Sequence, residues 1–447
     1  MHNGTRLRKR PPAAGLGAVS LVLLSLLSGG AGAEEGYGEA ELRAILFGRE
    51  RADTLDAGVV LLAHRTHYEH HGSGERERHE HQIWYVRDPD DPRAAALRTP
   101  AVLLDNTHQA FGLTHARVLR EGDTLDVTGA GWSLRTPEGW PPEAANPWRE
   151  AHATLPPWQA GDVFDLSYSL LTRPSRTRIP DAWTRIVLRT PRGPTVERHV
   201  VLTYERGLEG FARVIHNPQR LLRHYGADPK LELLTGNLPP GAGDAKDLQA
   251  PAVLFSCAQA WRPARRVLAE HYMFEIARAR TFLAAVGDSL VRNARGSRER
   301  IGAIFHLLRE RCAPIPRTLL ESDYYPRPLA IPWQGRAADE IDRALLFAAL
   351  ADVALIKVDL FLGRSDPRGF DPELVTPQQF DRLLVRLLVA EEDRHIFLDP
   401  SAGDLAAAQT VVDEKTVLLG VPDEWARLLQ ADAQGHLHDY ATARTDN

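Results

Sequence analysis

The chain has 447 residues, of which 43% are hydrophobic and 25% are charged. This composition is typical of a globular protein with a buried core and excludes an intrinsically disordered chain. The formal net charge of −5 gives no support to nucleic-acid binding, which depends on a basic surface. The length is sufficient for two or three domains of ordinary size.

Residues 1–33 have the composition of a signal peptide. Four basic residues within Arg6–Arg10 precede an apolar run, Ala13–Leu27, and the small residues Ala31–Ala33 form a cleavage site before Glu34. The apolar run is shorter than the roughly 20 residues that span a membrane. We therefore expect a periplasmic or secreted protein with no membrane span after cleavage. An uncleaved N-terminal anchor is the alternative.

The next part of the chain predicts a short helix followed by many strands. Within residues 34–56, Leu42, Ile45 and Leu46 fall on one helical face. Between residues 57 and 235, short apolar runs alternate with turns rich in Gly, Pro and Asp, which is typical of a β-sandwich-like domain. Residues 236–251 are rich in Gly and Pro without periodicity, which indicates a linker.

Helices dominate the sequence after this linker. The segment from Trp261 to Leu290 is long and amphipathic, and a second helix follows with Ser297 as a plausible N-cap. These helices belong to a predicted second domain, residues 252–430. Residues 431–447 are predicted to form a polar tail.

The segment from Gly335 to Pro400 resembles the catalytic core of transglutaminase-like proteins, which belong to the papain-like superfamily. The matching motifs are the helical Asp342–Leu346 (DRALL), Phe380-Asp381 (FD) and Leu398–Pro400 (LDP). The preceding strand-rich region is similar to a bacterial domain of unknown function that often accompanies transglutaminase-like domains in exported proteins. The resemblance implies an α+β protein in which a β-sandwich-like domain precedes a papain-like domain.

The catalytic Cys and His of that family are absent from the matching positions. The resemblance places Glu340 at the Cys position, Arg382 at the His position and Asp399 at the Asp position. Glutamate forms no thioester, and arginine accepts no proton near neutral pH. We therefore expect no catalytic residues here, and we hypothesise that Glu340 faces Arg382 as an ion pair. Ordinary structural roles at a helix start, a strand edge and a turn are the alternative.

The leading functional expectation is a catalytically inactive binding or scaffolding module in the cell envelope, with no cofactor. Its partner is expected to be a peptide, a cell-wall fragment or another envelope protein. One alternative is an active hydrolase or acyl transferase on the same scaffold that does not use cysteine. A second alternative is a metal-binding envelope protein.

The metal-binding alternative rests on six histidines between His64 and His81, on both sides of the turn Gly72–Gly74. In a hairpin, strand alternation places His67 and His71 on one face of the first strand, and His79 and His81 on one face of the return strand. His64 and His70 then lie on the opposite face. Two histidines from each strand are a plausible set of zinc or copper ligands. The intervening Glu and Arg residues fit a solvated hairpin without metal equally well.

The chain has two cysteines, Cys257 and Cys312. In an oxidising compartment they form a possible disulfide, and two buried free thiols are the alternative. Cys257, just before a predicted helix, is also a candidate for an alternative nucleophile.

Overall fold

The computed structural model describes most of the chain beyond the N-terminal region. The predicted signal peptide and most of the predicted N-terminal helix lie outside the described residues, as do residues 242–247 of the predicted linker and residues 433–435 and 441–447 of the predicted tail. The described residues are 46, 48–71, 73–106, 108–129, 131–140, 148–173, 183–205, 210–217, 222–224, 229–241, 248–322, 324–409, 412–413, 415–421, 427–432 and 436–440.

These residues form a mixed α+β structure with several sheets, in which strands predominate over helices. The helices are α1 Arg49–Asp53, α2 Pro92–Leu97, α3 Trp261–Asn293, α4 Ser297–Arg311, α5 Ala330–Gly335, α6 Glu340–Val353 and α7 Leu405–Gln409. The strands are β1 Val59–His70, β2 Arg76–Val86, β3 Ala101–Asp105, β4 Gln109–Arg120, β5 Asp123–Asp126, β6 Ser133–Arg135, β7 Trp148–His152, β8 Asp162–Thr172, β9 Trp183–Val187, β10 Thr195–Tyr204, β11 Phe211–Ile215, β12 Leu222–His224, β13 Lys230–Leu238, β14 Ala252–Ser256, β15 Ala313–Pro314, β16 Ala337–Ala338, β17 Val358–Arg364, β18 Arg382–Val389, β19 Arg394–Leu398, β20 Val417–Gly420, β21 Leu428–Ala431 and β22 Leu437–Asp439. None of these helices is both long and apolar enough to cross a membrane.

The largest sheet has eight strands in the order β12-β13-β10-β1-β2-β8-β4-β5. Strands β1 and β10 are parallel, and the other neighbours are antiparallel. Strands β1 and β2 form the predicted histidine-rich hairpin, with His67 directly opposite His79. Gly74 in its turn has a φ of 84°, which glycine adopts without steric cost.

Two three-stranded sheets pack on one face of the large sheet. The sheet β3-β7-β6 covers β1, β2, β4 and β8, and the sheet β11-β14-β9 covers β10 and β13. Strand β14 follows the predicted linker, yet it pairs with β9 and β11. The strand-rich part of the molecule therefore continues to Ser256. On the opposite face, α1 packs over the Val60 end of the large sheet.

Helix α6 is the centre of the second part of the molecule. It packs between α3, α4 and the six-stranded antiparallel sheet β19-β18-β17-β20-β21-β22. Every side chain from Ile341 to Ala351 is buried. After Arg343 the sequence is apolar around the whole helix, and the charged Asp342 and Arg343 have buried polar partners. Helix α3 approaches closely at Gly287, where an added Cβ would lie 2.7 Å from Cβ of Val353.

Candidate functional site at the start of helix α6

The first turn of α6 is capped by two aspartates. The Asp339 carboxylate accepts a hydrogen bond from the Asp342 backbone N–H at 2.9 Å, and the Asp342 carboxylate accepts one from the Asp339 N–H at 3.1 Å. This reciprocal pair satisfies amides that have no partner within the helix. Carboxylates are favourable here because the N-terminus of a helix carries partial positive charge.

Two buried arginines pair with these aspartates. Nη1 of Arg317 lies 3.0 Å from Oδ2 of Asp339, and Nη2 of Arg327 lies 2.6 Å from Oδ2 of Asp342. Burial raises the pKa of the Asp342 carboxyl, and contact with Arg327 opposes that shift. The Arg317 guanidinium also stacks 3.6 Å from the centre of the Trp148 ring in β7. The helix start is thus joined electrostatically to the strand-rich part of the molecule.

Glu340, at the position that the resemblance gives to the nucleophile, contacts the preceding loop. Its Oε2 accepts a hydrogen bond from the Leu319 N–H at 2.9 Å, and its own N–H donates to the Arg317 carbonyl oxygen at 3.4 Å. These bonds hold the loop against the start of α6.

Arg382 and Asp399 lie together at neighbouring strand ends. Arg382 begins β18, Asp399 follows β19, and Nη1 of Arg382 is 3.8 Å from Oδ2 of Asp399. The other oxygen of Asp399 accepts hydrogen bonds from the N–H of Ser401 at 2.8 Å and from its hydroxyl at 2.5 Å. Among the described residues, the ion pair of Arg382 is therefore with Asp399 and not, as hypothesised, with Glu340.

Asp381 is a candidate that the sequence analysis treated only as part of a motif. Its Oδ1 is buried and has no hydrogen-bond partner within the described part of the chain. Burial raises the pKa of Asp381, and the neighbouring Arg382 opposes the shift. The sequence signal for Asp381 was its place in the FD motif, Phe380-Asp381. The carboxyl group of Asp381 is therefore more easily protonated than that of an exposed aspartate.

The two cysteines do not form the possible disulfide. Both are buried free thiols, with Cys257 in the core between β14 and the large sheet and Cys312 in the core around α6. Burial raises the pKa of the Cys312 thiol, which disfavours the nucleophilic thiolate. The structure therefore agrees with the alternative of two buried free thiols.

The four candidate metal ligands of the hairpin do not converge on one point. The rings of His67 and His79 face each other with centroids 6.1 Å apart, and Nε2 of His67 lies 2.8 Å from the Thr203 hydroxyl. His71 is exposed, and its Nε2 lies 4.0 Å from Oε2 of Glu69. On the opposite face, His64 bonds Glu80 at 2.6 Å and His70 stacks on Phe255.

His81 instead meets two residues that the sequence did not indicate. Its Nε2 lies 2.7 Å from Oδ1 of Asp165, and Nε2 of His115 lies 3.0 Å from the same oxygen. Neither partner is near the hairpin in sequence. No local pattern identified this group, because each member comes from a different strand.

Comparisons with known proteins identify a fold. No protein family and no curated protein matches the sequence. A solved structure from Parabacteroides distasonis, described as a "putative protease", has a TM-score of 0.68 at 12% identity, over 86% of this chain and 71% of that chain. The two chains share a fold. At this identity the likeness carries no information about activity.

A weaker likeness involves an M1 zinc metallopeptidase from Deinococcus radiodurans. It has 11% identity and a TM-score of 0.25, over 44% of this chain and 42% of that chain. A TM-score this low supports no structural argument.

Proposed function

We propose that the protein is an exported, catalytically inactive relative of the transglutaminase-like proteins that binds a peptide or an envelope protein. The papain-like character of residues 252–430 and the periplasmic or secreted location are parts of this proposal. Support comes from the helix start at Glu340 and the neighbouring strand ends at Arg382 and Asp399, which supply the three positions of the family's site on the element types that the resemblance implies.

The observation that carries the proposal is the contact of Arg382 with Asp399. In the family that this chain resembles, the aspartate orients a histidine that takes a proton from the nucleophile. Here the group at 3.8 Å from Asp399 is a guanidinium, which stays charged at neutral pH and accepts no proton. Because 38% of the Arg382 side chain is exposed, it can donate paired hydrogen bonds to a carboxylate or a carbonyl group of a ligand.

The binding function is tested by cross-linking and pull-down from the envelope fraction of the native host. We expect a partner that wild-type protein captures and that the Arg382→Glu variant loses. Arg394→Glu is the matched control, because Arg394 lies on the adjacent strand β19 with 52% of its side chain exposed. Equal capture by wild type and Arg382→Glu, with both folded by circular dichroism, would show that Arg382 is not part of the binding surface.

The absence of catalysis is tested separately by peptide hydrolysis. This activity is the appropriate assay because a hydrolase that does not use cysteine is the alternative function. We expect no turnover above the buffer blank. Hydrolysis that disappears in Asp399→Asn or Asp381→Asn, and persists in Arg394→Glu, would establish the alternative of a hydrolase that does not use cysteine.

A further inference from the structure

Three adjacent strands of the large sheet bring two imidazoles and a carboxylate together. Strand β8 lies between β2 and β4, and its Ser167 is directly opposite both His81 and His115. Asp165 is two residues away on β8, so its side chain is on the same face. Both histidines are therefore diagonal neighbours of Asp165, one from each side.

The side chains converge on a single oxygen. The distances to Oδ1 of Asp165 are 2.7 Å from Nε2 of His81 and 3.0 Å from Nε2 of His115. One nitrogen or oxygen atom from each of the three residues lies within 4.8 Å of the other two. Zinc at its usual bond lengths of about 2.0–2.2 Å separates ligand atoms by roughly 3.4 Å, so shifts of about 1 Å at the rings would admit the ion.

The carboxylate is fixed in orientation by Arg117. The guanidinium of Arg117 donates to Oδ2 from Nε at 3.1 Å and from Nη2 at a shorter distance. Oδ1 is consequently the oxygen directed to the two imidazoles. An outer partner of this kind is what positions a carboxylate ligand in a metal site.

We propose that His81, His115 and Asp165 bind a divalent transition-metal ion and so join strands β2, β8 and β4. Two imidazoles and one carboxylate suit Zn²⁺ or Fe²⁺ better than Ca²⁺ or Mg²⁺, which prefer sites built from oxygen ligands. On binding, each ring carries its proton on Nδ1 and gives the Nε2 lone pair to the ion. The ion replaces the two hydrogen bonds to Oδ1, and water occupies the open position.

The burial of the group fits a site that is enclosed but accessible from one side. The side chain of Asp165 is 0% exposed and that of His81 is 5% exposed, whereas that of His115 is 23% exposed. The ion enters past His115. His115 is also the ligand whose removal disturbs the core least.

Zinc titration by calorimetry tests the site on the full chain, stripped with a chelator and then dialysed. We expect one equivalent of Zn²⁺ to bind, and His115→Ala to weaken the binding by at least about ten-fold. His79→Ala is the matched control, because it removes a more exposed histidine from β2 on the face that carries His81. Its affinity should equal that of wild type.

A second measurement uses only the wild-type protein and therefore does not depend on whether a variant folds. Co²⁺ should give the visible absorption bands of a tetrahedral site, and one equivalent of Zn²⁺ should abolish them. Absence of both the bands and calorimetric binding overturns the proposal. Equal Zn²⁺ affinity in wild type and a folded His115→Ala variant also overturns it. A loss of Zn²⁺ affinity in His79→Ala as large as that in His115→Ala overturns it as well, because the ion would then lie on the hairpin.

Discussion

Replacing Asp339 with alanine would remove two interactions at the start of α6. The Asp339 side chain caps the helix through a 2.9 Å hydrogen bond and pairs with Arg317 at 3.0 Å, and the residue is only 2% exposed. Loss of an N-cap costs about 1 kcal/mol. Loss of one partner from a buried ion pair costs about 3–5 kcal/mol, because Arg317 loses its hydrogen-bonded counter-ion and keeps only the attraction of Asp105 and Asp342. We expect Asp339→Ala to lower the free energy of unfolding by about 4–6 kcal/mol.

Asp339→Asn separates the two contributions. Asparagine caps a helix as well as aspartate does, so this variant loses the charge and keeps the cap. It should lower the free energy of unfolding by about 3–5 kcal/mol, about 1 kcal/mol less than alanine does. Urea unfolding followed by circular dichroism measures both variants. If the free energy of unfolding of Asp339→Asn stays within about 1 kcal/mol of the wild-type value, the charge of Asp339 does not stabilise Arg317. The ion pair at the start of α6 would then not be important for stability.

Two further predictions concern buried titratable groups. Burial lowers the pKa of His67 to about 4 and that of His70 to about 3. Between about pH 6.5 and pH 4 these histidines are therefore protonated in the unfolded chain and neutral in the folded protein. The free energy of unfolding should therefore fall by about 4 kcal/mol between pH 7 and pH 5, because the two histidines are protonated only in the unfolded chain. Urea unfolding at pH 7, 6 and 5 measures this loss. A free energy of unfolding that does not change with pH would contradict the prediction. Cys257 and Cys312 are buried, and burial raises the pKa of the Cys312 thiol. A thiol-reactive disulfide reagent should therefore modify both cysteines only after denaturant is added. Rapid reaction of the native protein would contradict this prediction.

Local patterns predicted the elements whose burial follows a simple period. The alternation around His67 and His79 indicated a hairpin, and the structure pairs these residues directly. The resemblance placed a helix at Asp342–Leu346, and the structure has helix α6 there. Strand ends at Arg382 and Asp399 also followed from short motifs. Each of these features is decided within about a dozen consecutive residues.

Long-range partners could not be predicted in the same way. His81 and His115 are joined through Asp165, which is 84 residues from one and 50 from the other in the chain. Their meeting depends on the strand order β2-β8-β4 and on register, which a single sequence does not specify. For the same reason, β14 was assigned to the helical part of the chain, although its hydrogen bonds lie with β9 and β11.

The resemblance gives three positions to catalytic residues, and their side chains differ in the contacts that they make within the protein. The Glu340 carboxylate accepts a 2.9 Å hydrogen bond from the backbone N–H of Leu319. The Asp399 carboxylate accepts two hydrogen bonds from Ser401, at 2.8 and 2.5 Å. The guanidinium of Arg382 lies 3.8 Å from Asp399, which is longer than the ion pairs at the helix start. Arg382 is also attracted by the neighbouring Asp381, and its side chain is 38% exposed. A contact of that length at a partly exposed site contributes little to stability. Arg382 is therefore the residue of the three whose guanidinium can turn to a ligand without breaking the scaffold, and this is why the binding test is directed at it.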